Sequence, residues 1–553
     1  MKLTKLYLAL LVFIVIITGC ESLLDVDSDQ RVLPDENRIN SQNDSIYSLI
    51  GIFSQLEKLA DRYVLLGELR GDLMDISEHA DPFLKEIYNF NISQDNPYNN
   101  ILDYYSVINN CNYLINNIDT ASSVNGKKVM YEELAAAKAI RAWTYMQIAF
   151  NYGRVKYFEK PFLTVNDASN YVEYSIQDLL TVLIQDLEPL KNIKEPGGVS
   201  LGADLSTATS FFPIRFVLAD LYLWNGQYEQ AAIEYHDLIE ENYYAVLDNF
   251  QSTWTVQGGD FVMREMKNQK WLNCFSSGRE LITLIAGSTE YGEGADLDSL
   301  SLYYCEIVPS SVAINNWNKQ FYYNTADAYK EGDLRGDYGS YLSPEMISSL
   351  ISDEDTEFDI ETEINTYNQI LKFGLMTYST SKAICVYRAG LLYLRYAEAV
   401  NRAGKPNLAF AVLKNGLSSE SLAVDTIVPK YEKYSTYTDT TGTFYDYVDF
   451  EDSYFEGNIG IHARGCGNTD LAINYKIPQK NSLQDSILYV EDQIIEELAL
   501  ETAFEGNRFH DLMRISIRRS NPAYLANKVS EKYTDNKEAV RSKLMNQNNW
   551  YLP

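Results

Sequence analysis

Apolar residues recur at three- and four-residue steps through much of the chain, the spacing of a helix that buries one face. From Ser45 onward Ile46, Leu49, Ile50, Phe53 and Leu56 fall on one stripe, and Ile101, Tyr105, Ile108, Tyr113 and Leu114 repeat the pattern. The stretch Glu132 to Tyr152 is rich in Ala and closes at Gly153, a residue suited to a helix C-cap, so it predicts the strongest helix. Further helices are predicted over Ser175 to Leu190 and over Val490 to Phe504. The latter runs on through Glu505 and Arg508 to Arg514.

Two segments share a finer pattern of small and large residues. Leu218, Ala219, Tyr222, Gly226, Ala231, Tyr235 and Leu238 match the spacing of a tetratricopeptide hairpin, with small residues where two antiparallel helices touch. Ala397, Gly404 and Ala409 repeat the interval between its small residues. One such unit cannot bury its own apolar face, so neighbours are implied. Trp143, Tyr145, Trp224 and Tyr235 stand at helical spacing beside small residues and read as helix packing. The expected fold is mostly α, with tetratricopeptide-like hairpins forming a superhelical scaffold that carries a loop-rich ligand-binding region.

Between the two hairpins the helical period fades. Residues 248–381 hold Trp254, Trp271 and Trp317 together with Gly258, Gly259, Gly292 and Gly294, and 435–477 is a second loop-like stretch. Loops on a rigid scaffold commonly carry binding sites. Sugars are gripped by flat aromatic faces beside amide and hydroxyl groups. Trp271 with Asn273, and Trp317 with Asn316, Asn318, Gln320, Tyr322 and Tyr323, supply that mixture, so Trp271, Asn273, Trp317, Asn318, Gln320, Tyr322 and Tyr323 are the candidate ligand contacts.

The N-terminus has Lys2 and Lys5, then an unbroken apolar run from Leu6 to Ile17. That run is shorter than the roughly 20 residues needed to span a bilayer and suits a signal peptide. Ile17-Thr18-Gly19-Cys20 resembles a bacterial lipobox, which predicts acylation of Cys20 and attachment to a membrane without spanning it. Glu21 and the acidic Asp25, Asp27 and Asp29 are similar to export signals of surface lipoproteins in Bacteroidetes. The expected organisation is a signal peptide over 1–19, a lipidated tether over 20–44, a helical region over 45–247, an aromatic insertion over 248–381, and a C-terminal region over 382–553 with a helical hairpin and loops.

Charge narrows the partners. The chain has 77 Asp plus Glu against 46 Lys plus Arg, a net charge of −31, which disfavours nucleic acid. Tyr occurs 43 times and His only 4, which favours stacking contacts over imidazole chemistry. Beyond Cys20 five cysteines remain with no Cys-x-x-Cys pair, so neither a disulfide framework nor a zinc site is indicated and buried thiols are expected. Gly465 and Gly467 could hold the Cys466 thiol on an exposed loop, yet no adjacent base is visible. Glu497 and Glu501 share a helix face, but Arg508 stands three residues from both Glu505 and Asp511, spacing that pairs charges locally. Structural ion pairing is the expectation, with no catalytic pair. No cofactor is expected. Asp296-Leu297-Asp298 starts like a calcium loop and then departs from it at Ser301 and Ile307, leaving a structural calcium elsewhere as an open role for some of the acids.

Several segments in fixed order resemble the SusD/RagB surface lipoproteins of Bacteroidetes. They are Glu68 to Asp75 (ELRGDLMD), Tyr105 to Asp119 (YSVINNCNYLINNID), Arg141 to Gly153, Arg388 to Asn401 with Gly404, and Glu497 to Arg514 around Phe504-Glu505-Gly506-Asn507-Arg508. The likeness covers nearly the whole chain. It implies a SusD-like fold and a non-enzymatic protein of the outer membrane, facing the cell exterior. Such a protein would capture oligosaccharide or polysaccharide, or in some members peptide, and pass it to a SusC-like TonB-dependent transporter for carbohydrate uptake. Ligand contacts diverge within the family, so none is carried over. Two other classes make different predictions: a tetratricopeptide scaffold for envelope assembly would lack the aromatic insertion, and a surface glycan hydrolase would turn over its ligand.

Overall fold

The computed structural model describes residues 39 and 41–553 except 125–126, 129, 170, 201–205, 258–259, 264–269, 277, 289–293, 353–365 and 376–380. The signal segment, Cys20, most of the tether, Gly258, Gly259 and Gly292 lie outside the described residues. No helix among the described residues is long and apolar enough to cross a membrane.

The first helix, α1 (Gln42–Glu57), starts a little before the expected boundary because Ser41 caps it, its hydroxyl accepting from the Asp44 N–H at 3.2 Å. It is followed by α2 (Ala60–Glu68), β1 (Met74–Ile76), α3 (Pro82–Tyr88), α4 (Ile101–Asn117) and α5 (Tyr131–Tyr152). Gly153 ends α5 at φ +76°, the conformation its lack of a Cβ permits. Next come the ribbon β2 (Arg154–Tyr157) and β3 (Val172–Ser175), then α6 (Ile176–Leu187), α7 (Ile214–Trp224) and α8 (Tyr228–Asn242).

The insertion contributes β4 (Trp254–Gln257), β5 (Asp260–Met263), β6 (Leu281–Ser288), β7 (Ile307–Pro309), α9 (Ser311–Asn318), β8 (Phe321–Thr325) and β9 (Ala328–Glu331), and β10 (Ser381–Arg388) leads out of it. The chain closes with α10 (Ala389–Arg402), α11 (Pro406–Lys414), α12 (Leu483–Glu501), α13 (Arg508–Arg518), α14 (Pro522–Ser530) and α15 (Lys537–Leu544). Helix α12 begins before the predicted Val490 and stops at Glu501 instead of Phe504, because Phe504 and Gly506 turn into the left-handed region at φ +70° and +89°.

Helices pack in an unbroken succession: α1 on α4, α4 on α5, α5 on α6, α6 on α7, α7 on α8, α8 on α10, and α10 on α11 and α12. The two hairpins seen in the small-residue spacing are α7–α8 and α10–α11. Their turn glycines, Gly226 and Gly404, have φ of +77° and +91°, and Ala219, Ala231, Ala397 and Ala409 are buried at the helix contacts. The insertion does not part the hairpins. Its strand β6 pairs antiparallel with β10 at its exit, Leu281 opposite Arg388, and returns the chain to α10 at the place where α8 waits.

The early and late motifs turn out to be two halves of one contact. The Glu68 carboxylate, at the end of α2, accepts from the backbone N–H groups of Phe504, Gly506, Asn507 and Arg508 at 2.9–3.2 Å. It thereby serves the N-terminus of α13, which has no side-chain cap of its own. Asp72 accepts from Arg508 Nε and Nη2 at 2.6 and 2.8 Å across 436 positions of sequence. A Cβ at Gly67 would overlap the Gly506 carbonyl, so the glycines allow this approach.

The expected local pairing of Arg508 is therefore corrected. Glu505 instead accepts from Arg388 and Lys372, and Asp511 from Arg514 and Arg395. Ion pairing of these residues is structural; helical spacing supplies only Arg514 to Asp511, and the fold brings the other partners.

Candidate ligand-binding site

Helix α9 leads straight into the β8–β9 hairpin and fixes where it stands. Ser310 caps α9, accepting from the Ala313 N–H at 3.1 Å while its hydroxyl donates to the Asp72 carbonyl at 2.6 Å. At the other end Gln320 Nε2 donates to the Asn316 carbonyl at 2.9 Å, and the Gly332 N–H donates to the Gln320 carbonyl at 2.7 Å. The Asn468 N–H donates to the Tyr323 carbonyl at 2.9 Å, which ties the first strand to the loop after Gly467.

Strand alternation then sorts the aromatic residues onto two faces. On one, Tyr322 lies opposite Lys330 and is 2% exposed. Its hydroxyl accepts from the Trp254 N–H at 3.1 Å, and the Lys330 ammonium sits 3.9 Å from the Trp254 ring centroid. On the other, Tyr323 lies opposite Tyr329, and Phe321 precedes them on the same side. Tyr323 and Tyr329 have ring centroids 5.7 Å apart at 32°, and Phe321 lies 6.5 Å from Tyr329. Phe321 is 40% and Tyr329 56% exposed, and Tyr323 is half-buried. Trp254 thus backs a hairpin whose opposite face offers three rings to solvent. Asn318 and Asn324 are exposed nearby in sequence and supply amide groups. Such a surface can stack on the C–H face of a sugar ring and hydrogen-bond its hydroxyls.

Of the residues singled out from the sequence, Asn318, Gln320, Tyr322 and Tyr323 lie in or beside this hairpin, with Tyr322 turned inward. Trp271 and Trp317 require correction as platform residues, since they are 0% and 1% exposed and offer no face to a ligand. Trp317 is turned into the core, its Nε1 donating to the Leu500 carbonyl at 3.2 Å and its ring stacked on Tyr341 at 5.6 Å. Trp271 packs edge-on against Phe275 and covers three buried cations, with Arg388 Cζ at 5.3 Å, Lys372 Nζ at 5.4 Å and Arg464 Cζ at 6.0 Å from its centroid. Asn273 is exposed at the end of that short turn. Phe321, Tyr329, Lys330 and Trp254 were missed, although the alternation from Phe321 to Tyr323 and again through Tyr329 is a readable strand signal.

Under Trp271 lies a sealed ionic cluster. Arg388 and Arg464 share Glu280 and Glu501, and Arg335 Nη1 donates to Glu497 at 2.7 Å and to Glu501 at 2.8 Å. Burial acts to raise the Glu501 carboxyl, but Arg464, Arg388 and Arg335 overcome it and hold the group well below the usual carboxylate range. Glu280 and Glu497 are likewise held low against burial, by Arg464 with Arg388 and by His462 with Arg335. Glu497 and Glu501 are thus committed to guanidinium partners in the interior, unlike a hydrolytic pair facing a cleft.

Asp333, His462 and Cys466 have ligand atoms close enough to share a metal ion, as do His236, Asp237 and Glu240. The first group fits poorly. Arg335 donates to Asp333 at 2.7 Å, His462 Nδ1 is 2.7 Å from Glu497, and burial pushes the Cys466 thiol up, away from the thiolate a metal needs. Cys466 is buried, not on an exposed loop, as are Cys111, Cys274, Cys305 and Cys385. Asp296 and Asp298 accept from Lys382 Nζ at 3.2 and 3.0 Å.

No family model matches the chain. A SusD-like protein, P38, from Formosa agariphila is 22% identical over 426 residues, covering 73% of this chain and 79% of that protein. A crystal structure of a SusD superfamily protein from Bacteroides thetaiotaomicron superposes with a TM-score of 0.56 at 14% identity, covering 91% of this chain and 93% of the other. A SusD-like carbohydrate binding protein from Bacteroides fragilis gives 0.55 at 16%, covering 88% of each chain.

Proposed function

We propose, for a chain that is SusD-like in sequence and in fold, that it is a cell-surface glycan-binding protein which captures oligosaccharide without cleaving it. The observation that carries this reading is the outward face of the β8–β9 hairpin, where Phe321, Tyr323 and Tyr329 stand on a strand pair held at its base and backed by Trp254. Aromatic rings fixed in place lose little entropy on binding, and flat faces suit pyranose rings. The sealed state of Glu497 and Glu501 favours binding over hydrolysis.

In the same reading Cys20 is acylated and holds the protein at the outer membrane, facing outward. The segment between Cys20 and α1 acts as a leash that raises the local concentration of the binding body beside a SusC-like TonB-dependent transporter. The transporter receives the glycan.

Calorimetric titration of protein lacking residues 1–20 with maltoheptaose, cellohexaose, laminarihexaose, mannohexaose and xylohexaose tests the reading, with chromatography of each mixture for products. Saturable binding without product, weakened at least tenfold in F321A/Y323A/Y329A, is expected. Product formation, or binding indifferent to all three rings, overturns it.

A further inference from the structure

A second aromatic hollow lies on the helical half of the molecule, remote in sequence from the hairpin. The loop joining β2 to β3, with the strands themselves, encloses a cleft of about 630 Å³ whose walls include Tyr157, Phe162, Tyr171 and Tyr174, with Glu159 and Lys160 exposed beside them. That volume lies within the range of small-ligand sites.

The cleft is built, not left over. Helix α4 presents Asn109, Asn112 and Asn116 at helical spacing along one side, and each Nδ2 donates to a carbonyl of the loop: Phe162 at 3.2 Å, Phe158 at 3.0 Å and Glu159 at 3.0 Å. The Phe162 N–H returns a bond to Asn109 Oδ1 at 2.6 Å, and Tyr145 Oη both donates to and accepts from the Phe158 backbone. Further along, Asp167 accepts from the Leu163 and Thr164 N–H groups and from the Thr164 hydroxyl at 2.7–3.0 Å, closing that turn on itself. The asparagines belong to the YSVINNCNYLINNID segment, whose polar positions had no assigned purpose in the sequence.

The rings are held as firmly as the backbone. Phe158 and Phe162 stack at 4.0 Å and 18°, Tyr157 and Tyr174 lie 5.5 Å apart, and the Lys156 ammonium is 5.0 Å from the Tyr171 centroid. Tyr157 donates to Glu159 at 3.0 Å, which places a polar pair at the wall. Tyr171 is 40% exposed. We infer that this cleft is a second carbohydrate-contact site, in which a pyranose-containing chain stacks on Tyr171 and Tyr174 and hydrogen-bonds through Glu159 and Lys160. The inference rests on the glycan-binding reading and extends it to two separate contacts on one molecule, so that a long glycan has two places to be held.

The test uses the same hexa- and heptasaccharides, titrated against wild type, the hairpin variant F321A/Y323A/Y329A, the cleft variant Y171A, and the combination. With two sites, the hairpin variant retains binding at a Kd about tenfold or more above wild type, and adding Y171A abolishes it. Because exposed Tyr171 can be nitrated by tetranitromethane, glycan should also protect it in the hairpin variant, a readout that needs no substitution in the cleft. A hairpin variant that binds nothing, with Y171A indistinguishable from wild type and Tyr171 unprotected, overturns the second site and leaves the hairpin reading intact. Wild type that binds none of the glycans overturns both. If Y171A leaves glycan binding unchanged but releases a co-purifying transporter, the cleft is a protein-docking face and the inference is wrong.

Discussion

The pocket beneath Trp271 and the face of the β8–β9 hairpin are made from the residue types usually associated with binding, yet they are opposites. Under Trp271, Arg335, Arg388, Arg464, Glu280 and Glu501 are all fully buried and pair with one another. On the hairpin, Phe321 and Tyr329 keep 40% and 56% of their surface in water. An indole over cations in the first region is a lid on a structural knot; three rings turned toward solvent in the second form a surface open to a partner. Residue type alone does not separate the two. What separates them is whether the partner is already present in the fold.

The sharpest way to break this contrast is Glu501→Ala. It strips a shared acceptor from three buried guanidiniums, and removing one member of a buried pair costs about 3–5 kcal/mol. Urea unfolding should show that loss, while glycan affinity of the folded fraction stays within twofold of wild type. Trp271→Ala should come next, near 3 kcal/mol from the cavity it leaves, again with affinity unchanged. If either variant loses binding in proportion to nothing but the site, the buried region contributes to recognition and the distinction fails.

Acid should discriminate between the regions without any mutation. Glu280, Glu497 and Glu501 are held below the ordinary carboxylate range, so their contribution is complete above an unfolded value of about 4.5 and is lost as pH falls toward the folded values. His510 adds a loss beginning higher. Burial and then Arg70 keep it neutral in the native state, so the unfolded chain takes up a proton below about pH 6.5 that the folded one refuses. Burial raises Glu68 to about 7 and Asp61 to about 6, which favours the folded state as pH falls through that same range, so the His510 contribution is read as a difference: relative to wild type, His510→Gln should lose less thermal midpoint between about pH 6.5 and 5. The smallest stability effect belongs to Tyr329→Ala, within about 0.5 kcal/mol of wild type, because its ring is mostly solvated. The same variant should weaken glycan binding about tenfold, or about 1.4 kcal/mol. A reversed pair of outcomes would assign Tyr329 to packing.

Helical periodicity made α1, α4, α5 and the two hairpins legible, since each buries a stripe whose spacing is local. The stacking of α8 on α10 followed from the rule that one hairpin cannot stand alone. The candidate site was read less well because Trp is large and rare, and a Trp beside Asn looks like a sugar contact wherever the backbone turns it. Local sequence carries no sign that Trp317 points toward Leu500 and Tyr341. The hairpin's period of two was available in Phe321, Tyr322 and Tyr323, and it would have divided inward Tyr322 from its neighbours. Arg508 illustrates the limit of spacing rules: Glu505 and Asp511 are its neighbours on paper, but Asp72 is delivered to it by the meeting of α2 with α13.

That meeting sets the order in which the molecule can be completed. Glu68 and Asp72 are made early in synthesis, while the amides and guanidinium that satisfy them arrive 436 or more positions later. Until the last stretch of chain is present, the end of α2 exposes two carboxylates and a glycine groove with no counterpart. Native structure near the N-terminus must therefore wait for the C-terminus, a closure that favours slow, late and cooperative folding. A chain cut short before Arg508 should stay open and vulnerable to proteases along its first two helices.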